Sequence, residues 1–364
     1  MESSYFCADF FPLCSNKMEQ THKRKSHKTL LWTAGLLLVI LLAAAIYVYR
    51  QVFAPLNPVD TVYIYIDEEK DYEDVILQLK ENDALPSEKI FRLLAEKMNY
   101  PERVKSGRYG ISAGMTMPDV IRILRSGNQS PVNITFNNIR TREDLAGRLA
   151  GQLMIDSLSL LKNLYDPAVA EQMGFNVENF TAMFIPNTYE VYWTTDATSL
   201  MQRMKSEYDR FWNEARRKKA EEMGLTPVEV STLASIVEEE ATYAEEYPIV
   251  AGLYLNRLKR GMRLEADPTV KFAVGDFSLR RILYKHLEVE SPYNTYRREG
   301  LPPGPIKIPS IAAINATLSP EQHNYLFMCA KDDLSGRHNF AVTHAEHARN
   351  AARYQRALNE RGIY

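Results

Sequence analysis

The sequence has little cysteine, little net charge and only one long hydrophobic run. Three cysteines in 364 residues exclude a disulfide-stapled scaffold. Cys7 and Cys14 precede the apolar run and Cys329 follows it alone. Lys and Arg number 44 against 46 Asp and Glu, a net charge of −2. A protein that coats nucleic acid would be strongly basic, so no nucleic-acid partner is expected. There is no Walker-type phosphate loop and no Gly-x-Gly-x-x-Gly, so no nucleotide cofactor is expected either. What is present is ordinary for a folded chain: 45% hydrophobic and 25% charged residues, which excludes disorder. At roughly 100–200 residues per domain, two or three domains are expected.

The single long run, 29–49, reads TLLWTAGLLLVILLAAAIYVY and carries no charge. About 20 apolar residues span a bilayer core. Trp32, Tyr47 and Tyr49 lie near its ends, where amphipathic rings favour the interface. A buried core helix is the alternative; the length and the basic flank argue against it. The apolar stretch is also too long for a cleaved signal, and no clean small-x-small site follows. Lys17, Lys23, Arg24, Lys25 and Lys28 precede the run, and Arg50 alone follows it closely. The positive-inside rule then puts 1–28 in the cytosol as a tail, and residues 51–364 across the membrane. Residues 1–17 lack periodicity, and Met18 would make a sensible start. With six Lys/Arg and three Asp/Glu in 1–50, the remainder holds 38 and 43, a net of −5.

The expected fold class is α+β. Residues 50–58 (QVFAPLNP from 51) read as a linker, because two prolines block regular structure. The β-branched, aromatic stretch 61–66 is a predicted strand. Helical spacing follows at 72–82 and 88–97, then a short strand at 108–111 and a turn at Ala113-Gly114. Thr116 caps a helix with Asp119 at its third position, and 131–137 is another strand. These elements make a small α+β module at 59–138. Residues 139–364 form the second domain, of mixed α/β type. In it 141–164 is mostly helical, with Thr141 and Asp144 as a cap pair; 175–193 is irregular; and 199–219 is one long amphipathic helix.

Thr226-Pro227-Val228-Glu229 is a helix start, with Pro at the first position and Glu at the third. At about 100° per residue, Val230, Leu233, Ile236 and Val237 form one apolar stripe. Glu238 and Glu239 fall about 140° and 120° from Leu233, off the stripe, whereas Glu240 falls about 20° away, inside it. A solvated charge run would be the ordinary meaning of three consecutive glutamates. A carboxyl on an apolar stripe instead loses solvation and gains acid character. Such a group can serve as a general acid in glycoside cleavage; a structural Glu paired to an Arg is the other reading. A second helix at 244–259 holds Asn256 and Arg257 and stops at Gly261. Asp267 before Pro268 suits an N-cap, or a polar ligand. The segment 291–308 (SPYNTYRREGLPPGPIKI) cannot be a regular element. Tyr293, Asn294, Thr295 and Tyr296 suit sugar rings, with apolar faces and hydroxyl edges; a packed surface loop is the alternative.

In order, Ser235-Ile236-Val237-Glu238-Glu239-Glu240, Leu255-Asn256-Arg257-Leu258, Gly261-Met262-Arg263-Leu264, Asp267-Pro268-Thr269-Val270, Tyr293-Asn294-Thr295-Tyr296, Gly300-Leu301-Pro302-Pro303-Gly304 and a terminal His338…His347 segment follow one another. This series closely resembles the endolytic murein transglycosylases, the YceG-like family. The likeness runs from the apolar run to near the C-terminus and is densest at 233–347. It implies an inner-membrane enzyme with a LysM-like module, placed at 106–128 within 59–138, and a catalytic domain that cuts nascent peptidoglycan strands internally. The family's Glu-Lys-Glu-Thr motif makes Glu240 its catalytic Glu and Glu238 a second site residue. The resemblance also puts Asn256, Asp267 and Tyr293–Tyr296 at the substrate. Departures are Glu239 for the usual Lys, Ala241 for Thr, Phe272 where Tyr is common, and Pro186-Asn187-Thr188 for Pro-Asp-Thr.

The implied reaction is non-hydrolytic. Glu240 protonates the oxygen between N-acetylmuramic acid and N-acetylglucosamine, then takes a proton from the sugar's own 6-hydroxyl as a 1,6-anhydro ring closes. A lysozyme-like hydrolase with Asp267 or Glu238 as second carboxylate, and a non-catalytic wall-binding scaffold, stay open beside it. No metal is expected. His338, His344 and His347 have a suggestive spacing, but Thr343 and Glu346 read as the cap of the last helix. No cofactor is expected. Family analogy and membrane position suggest cell-wall synthases as partners, although no residue shows it.

Overall fold

The computed structural model describes residues 15–56, 58, 60–279 and 281–362, with the backbone alone at 15–27 and 29. Cys7, Cys14 and most of the expected 1–28 tail's first half lie outside the described residues. The chain divides into two compact units between Ser130 and Pro131.

The first unit begins with α1 (Ser15–Phe53). Within it, Leu30–Phe53 is long and apolar enough to cross a membrane, and none of its most apolar window is buried in the protein. Twenty-four residues at 1.5 Å each give about 36 Å, enough for a bilayer core with some tilt. The expected linker therefore starts late: Arg50 to Phe53 contain no breaker and stay helical, and the chain leaves the helix just before Pro55. Leu56 is then already buried. Its N–H donates to the Met115 carbonyl at 2.7 Å, and its own carbonyl accepts from Gly114 N–H at 2.8 Å.

Next come β1 (Val62–Ile66), α2 (Tyr72–Glu81), α3 (Glu88–Lys97), β2 (Gly107–Ile111) and α4 (Met117–Ser126). β1 and β2 pair antiparallel, Val62 opposite Ile111 and Ile66 opposite Gly107. Period-two alternation puts Ile64 and Ile66 in the core and Tyr63 and Tyr65 outside. Val75, Leu79, Phe91, Tyr109, Ile121 and Leu124 complete that core. The Thr116–Asp119 capping box forms as read from sequence, and α4 ends at Gly127 with φ +77°, where glycine carries no Cβ penalty.

The second unit starts with β3 (Val132–Phe136) and continues through α5 (Arg142–Ala150), α6 (Ser157–Tyr165), α7 (Pro167–Gln172), β4 (Asn187–Val191), α8 (Ala197–Phe211) and α9 (Glu214–Glu222). Two sequence readings differ here. The strand at 131–137 belongs to this unit and not to the first, because β3 pairs antiparallel with β4, Val132 opposite Val191; β4 lies inside the stretch read as irregular. The single helix expected at 199–219 is two, broken where Trp212 caps α8 and the Asn213 side chain accepts from Arg216 N–H to start α9.

Then follow α10 (Pro227–Glu240), α11 (Tyr247–Lys259), α12 (Asp267–Val274), the short α13 (Tyr284–Leu287), α14 (Ile311–Thr317), β5 (Phe327–Ala330), β6 (His338–Ala341) and α15 (His344–Glu360). β5 and β6 pair antiparallel. The unit has two hydrophobic clusters, and α10 contributes to both. Val230 and Ala234 join Phe136, Phe180, Leu200 and Ile314. Leu233, Ile236 and Val237 join Val250, Tyr254, Leu264 and Ile306. Burying a side chain of that size contributes on the order of 1.5–3 kcal/mol. α10 is thus the central strut of the unit, and its last turn is held in place from two sides.

Candidate active site

The capping box of α10 fixes its start, with Glu229 N–H donating to Thr226 Oγ1 at 3.2 Å and Thr226 N–H to Glu229 Oε2 at 2.8 Å. Every residue from Val230 to Val237 is buried, so the helix has no solvent stripe in that stretch. The three glutamates at its end are all partly buried, which the phase reading gave for Glu240 alone.

What separates the three is charge compensation. Glu239 takes a 2.6 Å ion pair from Arg140 and a 3.2 Å contact from Lys307. Burial works to raise its pKa, but the Arg140 hydrogen bond and the two cations outweigh it and the carboxyl is held low. Glu238 Oε2 accepts Ser310 N–H at 2.8 Å and lies 3.8 Å from Lys307 Nζ. Lys307 itself is buried and also donates to Asn138 Oδ1 at 3.0 Å. Glu240 has no such cation among the described residues. Its described partner is the Tyr254 hydroxyl, which donates to Oε1 at 2.9 Å. Burial pushes the Glu240 carboxyl up to about 7, the Tyr254 hydrogen bond works against this, and the charges of Asp267 and Glu239 add to it.

Glu240 lines a cavity of about 340 Å³ with Tyr254, Arg257, Glu265, Asp267, Tyr296, Phe327, Cys329 and His338 among its walls. Asp267 is the first helical residue of α12 and not its cap; Ala266 holds the cap position. The Asp267 carboxylate instead accepts the Tyr296 hydroxyl at 2.7 Å. Arg257 is buried, donates to the Leu264 carbonyl at 3.0 Å and pairs with Glu265 at 2.5 Å. Glu265 sits at φ +51°, a left-handed conformation costly for a residue with a side chain. Opposite strand β5, His338 is gripped by buried Glu246: its ring Nδ1 lies 2.9 Å from Oε2, and its N–H donates to Oε1 at 3.0 Å.

The structure therefore gathers Glu240, Asp267 and Tyr296 around one cavity and places the other sequence-selected residues elsewhere. Glu238 faces Lys307 and Ser310. Asn256 straps the 323–325 segment, donating to the carbonyls of His323 at 2.7 Å and Tyr325 at 3.2 Å. Asn294 is fully buried and holds the carbonyls of Leu287 and Val289, each at 2.9 Å. Thr295 is buried too, accepting Ala266 N–H at 3.0 Å and meeting Thr269 Oγ1 at 2.7 Å. Thr295 thereby positions the Asp267 turn. Tyr293 lines a second cavity with Phe272, and its hydroxyl donates to the Glu178 carbonyl at 3.1 Å. Sequence reasoning missed Tyr254, Glu246 and His338 as site residues. Tyr254 is fourteen residues from Glu240 on the next helix, and no local pattern links the two.

His344 and His347 pack against Phe327, at 5.9 and 5.5 Å between ring centroids, and His338 is taken by Glu246. Among the described residues no group of three His, Cys, Asp or Glu side chains is arranged to hold a metal.

The family model for the YceG-like family matches residues 64–353. The chain belongs to the YceG-like family. It is 28% identical over 321 residues to the endolytic murein transglycosylase of Bacillus subtilis, covering 83% of this chain and 87% of that protein. It is 26% identical over 356 residues to the endolytic murein transglycosylase of Streptococcus pneumoniae, spanning 87% of this chain but 63% of that longer protein. The crystal structure of a putative YceG-like protein of Listeria monocytogenes superposes with a TM-score of 0.54 at 25% identity, covering 80% of this chain and 99% of that one. The YceG-like match spans the α10–α12 cavity and ends within α15.

Proposed function

We propose that this YceG-like chain is a lytic transglycosylase that cuts the glycan strands of peptidoglycan between N-acetylmuramic acid and N-acetylglucosamine. The observation that carries the reading is Glu240: one carboxyl without a cationic partner among the described residues, pushed up to about 7, facing a cavity next to two carboxylates that are neutralised. A group with that pKa is protonated in much of the population near neutral pH and can donate to a leaving-group oxygen. Once ionised, it accepts the proton of the 6-hydroxyl as that oxygen closes on C1. The bond to the leaving sugar breaks, the 1,6-anhydro bond forms, and no water or protein nucleophile enters. Tyr254 orients the carboxyl through its hydrogen bond, and Asp267, held by Tyr296, binds substrate hydroxyls.

The apolar helix Leu30–Phe53 serves as a single-pass anchor in the cytoplasmic membrane, with the basic residues before it in the cytosol and the chain after it outside. β1, α2, α3 and β2, two helices between two paired strands, support a LysM-like wall-holding role for the module between residue 60 and Ser130. Cell-wall synthases working at the same surface are the partners this placement suggests.

A second reading is hydrolysis, favoured by Asp267 in the same cavity as Glu240. Weighing the digest separates the two. Uncleaved glycan treated with the full chain yields anhydro ends on the transglycosylase reading; products heavier by one water overturn it. Glu240→Gln should lose activity by about 100-fold or more. Full activity in that variant removes Glu240 from its role, and binding without any cleavage by the wild type leaves only a scaffold.

A further inference from the structure

His338 takes no part in the chemistry above, yet it stands in the cavity that holds Glu240. It is the first residue of β6 and pairs with Ala330 at the end of β5, which lines the same cavity. Its side chain is held by Glu246, a carboxylate only 5% exposed. Glu246 Oε1 accepts the His338 backbone N–H at 3.0 Å, and Oε2 lies 2.9 Å from ring Nδ1. Among the described residues the Glu246 carboxylate has no other partner, so both its oxygens are spent on one residue. Further contacts fasten the same hairpin to the same stretch of chain. The Tyr243 hydroxyl donates to the Ser335 carbonyl at 3.0 Å, and the Arg337 guanidinium lies 4.5 Å over the Tyr243 ring and 3.7 Å from Glu245. Tyr243 comes three positions after Glu240, the last residue of α10. The segment that leads out of the acid's helix therefore also sets where His338 stands.

An ionised carboxylate only accepts, so the proton of a neutral ring lies on Nδ1 and Nε2 keeps its lone pair. The first carboxylate oxygen is fixed by the backbone N–H, and the second then fixes ring rotation and tautomer. Nε2 has no protein partner among the described residues, yet it is not a sealed, unsatisfied atom, unlike Nδ1 of His347 in the same wall. Neighbouring donors of the cavity are engaged: Tyr254 on Glu240, Tyr296 on Asp267, and Arg257 on Leu264 and Glu265. Nε2 is left as a neutral acceptor facing the space beside the acid.

We propose that His338, aimed by Glu246, is a substrate-contacting residue whose Nε2 accepts a hydrogen bond from an N–H or O–H of the sugar seated beside Glu240. The identity of that sugar rests on the transglycosylase reading; the accepting role does not. Glu246 is a positioning residue that acts through the ring. Glu246→Gln reverses the arrangement at constant shape. An amide has one accepting oxygen where the carboxylate has two. The backbone N–H of His338 can only donate, so it keeps that oxygen, and the amide NH2 faces Nδ1. The ring must then carry its proton on Nε2, and the acceptor becomes a donor in the same position.

The test uses the full chain in detergent with isotope-labelled histidine, read by nitrogen NMR at about pH 8, where an ordinary histidine is neutral. The His338 signals are those lost in His338→Gln. The wild type should show a bare Nε2 and a protonated Nδ1, and Glu246→Gln the reverse. In a Glu240→Gln background, which does not consume ligand, a stem-free murein tetrasaccharide should move the Nε2 signal toward the protonated range. With Glu240 intact, kcat/KM on uncleaved glycan should fall about tenfold or more in Glu246→Gln, the loss of one hydrogen bond and the gain of a misplaced donor, with the melting temperature nearly unchanged. A wild-type ring protonated on Nε2, an Nε2 signal indifferent to the saccharide, or full turnover with the tautomer reversed would each overturn the proposal and leave the pair as a clamp on the hairpin. If Glu246→Gln does not fold, the response of Nε2 to the saccharide with Glu246 intact decides. Absence of cleavage by the wild type would sink the transglycosylase reading, while the Nε2 response still decides the acceptor.

Discussion

At the scale of single residues, the site turns on unequal neutralisation of three neighbouring carboxylates. Glu238 and Glu239 share Lys307, Glu239 adds Arg140, and Glu240 has a phenol. Two substitutions should therefore move the acid's pKa in opposite directions. Tyr254→Phe removes a donor that favours the carboxylate, so the pKa rises and the alkaline fall in kcat/KM moves to higher pH. Asp267→Asn removes a neighbouring negative charge, so the pKa drops and the fall moves to lower pH. Shifts in the same direction would refute the electrostatic account. Stability responds too. The folded pKa of about 7 lies above the ordinary 4.5, so the native state binds the Glu240 proton more tightly. That contribution is complete below about pH 4.5 and is lost as pH rises through 7. A shift of this size is worth on the order of 3 kcal/mol, so Glu240→Gln should gain roughly that much on the wild type between pH 4 and pH 8. Urea unfolding at the two pH values measures it. The burial of Glu240 was legible in the sequence because helical phase is a local property. The reason was incomplete, since α10 is buried all round from Val230 to Val237 and no stripe exists to be violated. Tyr254 and His338 were not legible, because they meet the cavity from α11 and β6, elements that no local pattern ties to Glu240.

At the scale of elements, the capping boxes, which join residues within one turn, could be read in advance, whereas the Asn213 cap was missed and Asp267 proved not to be a cap. The boxes at Thr116–Asp119, Thr141–Asp144 and Thr226–Glu229 all form, and Thr343 caps α15. In the last case the Glu346 carboxylate reaches back to Val342 N–H at 3.1 Å and not to the cap residue itself. β4 escaped notice because its partner β3 lies more than fifty residues away, and its Thr, Tyr and Val are interrupted by Asn187 and Glu190 directly after Pro186. The loop Ser291–Ile308 was read as a sugar-facing cluster, yet Asn294 and Thr295 spend their polar atoms on backbone and on Thr269, because a buried turn must satisfy its own donors and acceptors. Lys307 shows how strongly one segment can hold another. It joins the 300–310 loop to α10 through Glu238 and Glu239, and to Asn138 beyond β3. Lys307→Met should cost about 3–5 kcal/mol, because two partly buried carboxylates lose their shared cation. A urea midpoint unchanged from the wild type would show that Arg140 alone suffices.

At the scale of the whole molecule, the comparisons and the fold agree on a YceG-like enzyme preceded by an apolar helix. The junction between that helix and the rest of the first unit is short. α1 ends at Phe53, and Leu56 is already fastened by two backbone hydrogen bonds to Met115 and Gly114. Three residues span at most about 10 Å. With α1 as the proposed anchor, such a connection would act as a rivet: the bilayer would become a datum plane from which the height of the rest of the first unit is set. Inserting 20 Gly/Ser residues after Phe53 would replace it with a tether of about 25 Å root-mean-square length. Cleavage of soluble glycan should then persist, while the length distribution of strands made in cells should broaden, as chromatography of released glycans would show. An unchanged distribution would mean that something other than the membrane fixes where the strand is measured off.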